Sequence, residues 1–71
     1  MAGATRRLVG RRLKRLRERR GFTQQELAEK AEMDYKHLQS LEGTSPPNIT
    51  IDSLERLAKA LNVPVSDLLR P

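Results

Sequence analysis

The sequence predicts an all-α domain, a compact bundle of five short helices. Apolar residues recur at spacings of three and four in several segments, cap and stop residues bound those segments, and no segment has a convincing strand pattern. With 71 residues the chain is long enough for one small domain with a single core. The residues assigned to that core are Leu13, Leu16, Phe22, Leu27, Leu41, Leu54, Leu57, Leu61, Val65 and Leu68.

The first predicted helix ends at Gly21, since a glycine commonly lies just past a helix. Gly10 weakens its first half, so the helix is expected to begin properly near Arg11. Residues 1–9 are predicted to be either a basic N-terminal arm or the start of this helix, and residues 10–70 a single folded domain. The thin apolar stripe of the helix consists of Leu8, Val9, Leu13 and Leu16.

The middle of the chain predicts two short helices that meet at a tight turn. Thr23 can cap the first of them, and Glu26 lies at the position that completes a capping box. Asp34 can cap the second helix, which Gly43 closes. The apolar rhythm slips between the two segments, which places the turn at residues 32–33.

Residues 44–50 are predicted to be a loop, because two prolines and an asparagine do not continue a helix. Asp52 can cap a fourth helix with Glu55 at its capping-box position, and Asn62 can stop it. A short last helix is expected to be capped near Ser66. The strong apolar face of the fourth helix consists of Ile51, Leu54, Leu57, Ala58 and Leu61.

Charge is distributed unevenly along the chain. Residues 1–20 carry nine Arg or Lys and one acid, whereas residues 21–71 carry five basic and eight acidic groups. A basic block on a small domain indicates a polyanionic partner, nucleic acid first and a membrane surface second. Two alternatives stay open, a solvated helix face and an arginine-rich amphipathic targeting or membrane-surface helix.

The composition argues against several classes of protein. The absence of cysteine excludes disulfides, thiol catalysis and cysteine-based zinc sites, and it suits a reducing, cytoplasmic location. His37 is the only histidine and has no partners at metal-ligand spacing, so no metal, cofactor, small-molecule ligand or enzymatic activity is expected. No apolar run is long enough to cross a membrane. Phe22 and Tyr35 are too few aromatic residues for a base-stacking platform, which disfavours RNA or single-strand binding.

Three sequence words carry a resemblance to a known family: LRERRGFTQQELAEKA, LQSLEG and LERLAKALNVPVSDLL. Together they resemble the Cro and phage-repressor type of helix-turn-helix proteins, the XRE family, from about residue 10 to residue 69. The resemblance implies a lambda-repressor-like DNA-binding domain with its helix-turn-helix at about residues 24–43. It also implies a cytoplasmic, prokaryotic or phage-encoded protein whose third helix enters the major groove of double-stranded DNA.

The resemblance implies that Tyr35, Lys36 and Ser40 read base edges. Their chemistry agrees, because lysine can donate to guanine O6 or N7 and serine can bond to several bases. Tyr35 could equally be half-buried, and His37 could be an inert surface residue. Contacts to phosphate or to flanking positions are implied for Thr23, Gln24, His37, Gln39, Thr44, Ser45, Asn48 and Arg11.

Two further expectations concern the scaffold around the third helix. The resemblance implies that Arg17 and Glu42 form a structural ion pair that ties this helix to the first one, and that Gln24 buttresses a side chain at its start. The family usually has glycine where this chain has Glu32. If the backbone is left-handed there, a residue other than glycine costs roughly 1–2 kcal/mol.

The function expected from these features is sequence-specific regulation of transcription, most simply repression by a homodimer on a two-fold operator. Half-sites would lie roughly 34–36 Å apart, one turn of DNA. Leu68 and Leu69 of the last helix are the candidates for the dimer surface. The alternative is a small interaction module, an antitoxin-type protein or co-regulator, that binds a protein partner and DNA jointly.

Overall fold

The computed structural model describes residues 2–70, and this part of the chain contains five helices and no strand. The helices are α1 (Ala2–Arg19), α2 (Gln24–Lys30), α3 (Tyr35–Leu41), α4 (Ile51–Leu61) and α5 (Ser66–Leu69). The predicted all-α bundle is therefore confirmed. No helix within residues 2–70 combines the length and the apolar character needed to cross a membrane.

The expectation that α1 begins near Arg11 is wrong, because the helix starts at Ala2 and continues through Gly10 for 18 residues in all. Gly10 lies where α1 crosses the end of α3. A Cβ atom at this position would lie 2.3 Å from the carbonyl oxygen of Leu41. A glycine within a helix costs about 1 kcal/mol relative to alanine. The fold requires glycine here because no side chain fits between the two backbones.

The predicted pair of short helices is present, and local chemistry explains both sides of its turn. Thr23 caps α2 in a complete capping box with Glu26. Asp34 caps α3 by accepting a hydrogen bond from the His37 N–H at 3.1 Å. Between them, Glu32 adopts φ 54°. The backbone is therefore left-handed at this position, where the family usually has glycine.

The predicted cap of α4 is wrong by two positions, whereas the cap of α5 lies next to Ser66, as expected. Thr50, rather than Asp52, caps α4, and its hydroxyl accepts a hydrogen bond from the N–H three residues on. Ile51 consequently lies in the first turn and is 74% exposed, outside the buried face of α4. Ser66 is the first residue of α5, and the cap position before it is Val65, which makes no side-chain cap bond.

The core contains residues from all five helices, and α1 packs against α5 while α2 packs against α3 and α4. Phe22 and Val65, both predicted as core, are only partly buried against it. Leu68 is completely buried, so it belongs to the core and cannot be part of a dimer surface in this conformation. The buried apolar residues are Val9, Leu13, Leu16, Leu27, Ala28, Ala31, Leu38, Leu41, Leu54, Leu57, Ala58, Leu61 and Leu68.

Candidate nucleic-acid interface

Helix α3 buries one side and presents the other to solvent. Leu38 and Leu41 face the core, and a helix turns by about 100° per residue, so the positions opposite them share one face. The exposed residues on that face are Tyr35, Lys36, Gln39 and Ser40. Gln39 therefore lies among the three residues expected to read bases, as its spacing of four from Tyr35 could have indicated.

The polar groups on this face differ in which hydrogen-bond donors and acceptors they can offer to a ligand. The Lys36 ammonium group makes no hydrogen bond or ion pair within the described chain, so it is available to a ligand. The Ser40 hydroxyl donates to the Lys36 carbonyl oxygen at 3.0 Å, which leaves its oxygen lone pairs as acceptors. Tyr35 is 37% exposed and His37 is half-buried at the edge of the face.

The C-terminal end of α3 is held by a nearly buried carboxylate. Glu42 accepts two hydrogen bonds from Arg17, from Nε at 2.8 Å and from Nη2 at 3.0 Å. The two side chains are only 2% and 11% exposed, respectively. The hydrogen bond to Glu42 raises the pKa of the Arg17 guanidinium above its ordinary value, against the opposing effect of burial. The expected ion pair between α1 and the end of α3 is thus present.

Gln24 completes this cluster from α2. Its side-chain amide donates to Glu42 Oε1 at 3.1 Å, so it supports the end of α3 and not, as expected, a side chain at the start of that helix. Arg17 also donates from Nη1 to the Phe22 carbonyl oxygen at 2.7 Å. The Glu42 carboxylate therefore joins α1 and α2 to the end of α3, and Arg17 also holds the loop that follows α1.

The remaining predicted contact residues fall into separate groups. Thr23 is exposed at the start of α2, with its hydroxyl accepting from the Glu26 N–H at 3.1 Å. Thr44 and Ser45 are exposed in the loop after α3, which is anchored by buried Pro46.

Two of the predicted flanking residues, Arg11 and Asn48, line different clefts. Arg11 lies across a shallow cleft from Thr44. Asn48 instead lines a largely apolar groove with Ile49 and Leu69.

A small all-helical fold with two helices joined by a tight turn, the second exposing a polar face, defines a helix-turn-helix domain. The family described as "Helix-turn-helix domain" matches residues 8–70, and the chain belongs to this family. The resemblance to XRE-type regulators is confirmed by the relatives found.

Among them is the HTH-type transcriptional regulator SinR of Bacillus subtilis (strain 168), to which the chain is 37% identical over 62 residues. The match covers 87% of this chain and 56% of that regulator, so the chain spans about half the length of the curated relatives it matches.

Solved structures agree with this placement. One is the crystal structure of SinR, described as the master regulator for biofilm formation, in complex with DNA. It superimposes with a TM-score of 0.83 at 37% identity, and the match covers 87% of this chain and 98% of that one. The restriction-modification controller protein C.AhdI from Aeromonas hydrophila gives a TM-score of 0.86 at 28% identity, covering 92% of this chain and 97% of that one.

Proposed function

We propose that the protein is a sequence-specific, double-stranded-DNA-binding regulator of transcription that inserts α3 into the major groove. The observation that carries the proposal is the exposed polar face of α3 on a scaffold that buries most of its apolar residues. The similarity to SinR, a regulator solved with DNA, supports it. We propose that it acts in the cytoplasm and that it binds DNA without catalysing a reaction.

Within this proposal Tyr35, Lys36 and Ser40 read bases. Lys36 donates to guanine, and Ser40 accepts from a base donor while its hydrogen stays on the Lys36 carbonyl. Phosphates and flanking positions are contacted by Thr23, Gln24, His37, Gln39, Thr44, Ser45, Asn48 and Arg11. Gln24 has one amide hydrogen engaged with Glu42 and retains a second for a phosphate oxygen.

Repression by a homodimer is the simplest mode of action, because a seven-residue α3 spans only a few base pairs. Leu69, which is 45% exposed, stays the candidate for the dimer surface after Leu68 is withdrawn. Leu69 borders the apolar groove that includes Ile49 and Leu54. A Leu69→Asp variant is expected to be monomeric in sedimentation equilibrium at concentrations where the parent protein forms dimers.

A second candidate function is favoured by the same exposed apolar residues. Ile51 and Leu69 could bind another protein, as in an antitoxin-type module or co-regulator. A parent protein that stays monomeric both free and on DNA would favour this alternative over the homodimer.

The proposal is tested by selecting binding sites from a random duplex pool at about 0.15 M salt, close to physiological ionic strength. A two-fold motif with half-sites one turn apart is expected, and Lys36→Ala should relax one base position in each half at a cost of about 1–3 kcal/mol. Lys59→Ala removes an exposed cation from α4 and should leave the motif unchanged. Recovery of no motif, with binding that disappears as salt rises, would contradict sequence-specific recognition.

A further inference from the structure

The basic residues of α1 and of the loop after it form two groups, those that bond to other parts of the fold and those that do not. Arg12 donates from Nε to the Asp67 carbonyl oxygen at 2.8 Å, Arg17 pairs with Glu42, and Arg20, just past the helix, donates to the Leu61 carbonyl oxygen at 3.2 Å. These side chains hold α1 to the other elements. Five cations make no hydrogen bond or ion pair with the described residues 2–70, namely Arg7, Arg11, Lys14, Arg15 and Arg19.

Three of the five unused cations line the surface beside the end of α3, and two do not. Arg7, Arg11 and Lys14 are spaced by four and three residues and so form one row along the helix. That row lines a shallow cleft of about 330 Å³, whose opposite wall is Gly43 and Thr44. Arg15 does not line that cleft. It lines a second small cavity with Arg70, which Arg11 also borders, and Arg19 follows Arg15 one helical turn later.

The cleft has the chemistry of a site for a phosphate group. Among the described residues that line it, Glu42 is the only one with a carboxylate, and that carboxylate is neutralised by its two hydrogen bonds from Arg17. Thr44 is exposed and makes no hydrogen bond within the described residues, so its N–H and hydroxyl can both donate.

The loop that supplies Thr44 contains no basic residue between positions 43 and 50. Positive charge at this edge of α3 therefore comes from α1. The early start of α1 is what places Arg7 there, on the two helical turns that precede Gly10.

We infer that Arg7, Arg11 and Lys14, together with Thr44, form a track for the phosphate backbone of one DNA strand beside the groove that α3 enters. The inference rests on the proposed DNA-binding function and specifies which of the many α1 cations serve it. Such contacts position the protein and strengthen binding to any duplex, without adding sequence preference.

The test compares two double variants of the full chain, Arg7→Gln/Arg11→Gln and Arg15→Gln/Arg19→Gln. Each removes two positive charges spaced by four residues in the same helix, but Arg7 and Arg11 line the cleft beside Thr44 whereas Arg15 and Arg19 do not. Fluorescence anisotropy would measure affinity for the selected site and for a scrambled duplex over a salt series. Thermal denaturation of each variant would establish that it is folded.

The track predicts that Arg7→Gln/Arg11→Gln lowers affinity about tenfold or more at about 0.15 M salt, equally on both duplexes. The slope of log affinity against log salt should fall by about 0.9 for each lost contact, or about 1.8 per protomer. Arg7→Lys/Arg11→Lys should restore the slope, and Arg15→Gln/Arg19→Gln should change it much less.

Equal losses in the two Gln variants would overturn the track, since affinity would then follow net charge alone. Unchanged binding of Arg7→Gln/Arg11→Gln would also overturn it while leaving the proposed function in place. Failure of the parent protein to bind either duplex would instead remove the proposed function itself, so the two failures are distinguishable.

Discussion

The two ends of α3 are held in different ways. At the C-terminal end, Glu42 is nearly buried and accepts hydrogen bonds from Arg17 and Gln24, and Gly10 brings the α1 backbone against the Leu41 carbonyl. At the N-terminal end, the exposed Asp34 side chain caps the helix from within its own segment. The turn before it contains the left-handed Glu32.

This difference indicates which end sets the position of the helix. Contacts at the C-terminal end join residues 18 to 31 positions apart and leave the helix little freedom relative to α1 and α2. Contacts at the N-terminal end are local, apart from the hydrogen bond that Arg56 donates to the Glu32 carbonyl oxygen at 3.2 Å. Damage to the C-terminal end should therefore cost more stability and more DNA affinity than damage to the N-terminal end.

The largest effect is expected from Glu42→Ala, which leaves the Arg17 guanidinium largely buried without its carboxylate. Removing one partner of a buried pair typically costs about 3–5 kcal/mol, and we expect about 3 kcal/mol here because Arg17 keeps its bond to the Phe22 carbonyl. The free energy of unfolding from urea denaturation measures this loss. Glu55→Ala, on the exposed face of α4, is the control and should change stability little.

A double variant distinguishes two effects on stability: the cost of leaving a buried charge without its partner and the net contribution of the ion pair. Replacing both partners in Arg17→Met/Glu42→Leu should recover much of the stability, since apolar residues often replace a buried pair at little cost. DNA affinity should stay low in this variant if the pair's role is to fix the position of α3. Full recovery of both stability and affinity would contradict that role.

Gly10→Ala is expected to have the next largest effect. The new Cβ would lie 2.3 Å from the Leu41 carbonyl oxygen, and no side-chain rotation relieves a contact between backbones. A contact this short belongs at the upper end of the cost of overpacking, about 3 kcal/mol. The better helix propensity of alanine offsets about 1 kcal/mol, so a net loss of about 2 kcal/mol is expected in urea denaturation.

Gly3→Ala is the matched control for that substitution. A Cβ at Gly3 would meet only the end of the Arg7 side chain, at 3.5 Å. Stability should therefore stay the same or rise slightly. If Gly10→Ala were as stable as Gly3→Ala, α1 and α3 would be able to move apart at no cost. That result would contradict the need for glycine at this contact.

Asp34→Ala tests the N-terminal end and should cost about 1 kcal/mol, the usual value of a lost N-cap. Asp34→Asn keeps a capping oxygen and should retain most of the stability, while it loses the same negative charge. Thermal denaturation of the two variants therefore separates the cap from the charge. Equal destabilisation by alanine and asparagine would contradict the capping role.

Features that depend on neighbouring residues in the sequence could be predicted, whereas those set by distant contacts could not. The Thr23 capping box, the Asp34 cap and the stops at Gly21 and Asn62 follow from cap and turn chemistry. The start of α1 was missed because the propensity of Gly10 says nothing about the α3 backbone that it contacts.

The cap of α4 was missed for a different reason. Thr50 and Asp52 are both good N-cap residues two positions apart, and the local pattern does not choose between them. The structure places Thr50 at the cap, which leaves Ile51 exposed in the first turn.

The candidate site divides in the same way. The exposed face of α3 follows from helical spacing, and the resemblance identified the pair of Arg17 with Glu42. The second partner of Glu42, Gln24, and the opposition of Arg7 to Thr44 depend on how helices cross in space. No spacing along the chain indicates them.

The smallest effect is expected from Glu32→Gly, and it should be favourable. A side chain at φ 54° strains the backbone by roughly 1–2 kcal/mol, and glycine would remove this strain. Because glycine also has more freedom in the unfolded chain, part of the gain in stability is lost, and a net gain of about 0.5–1 kcal/mol is expected. Glu32→Ala removes the same charge but keeps the strain, so only glycine should raise the melting temperature. Both variants should bind any duplex somewhat more tightly at low salt, because both remove a negative charge near α3. An equal rise in melting temperature for the two variants would mean that charge, and not the left-handed backbone, destabilises this turn.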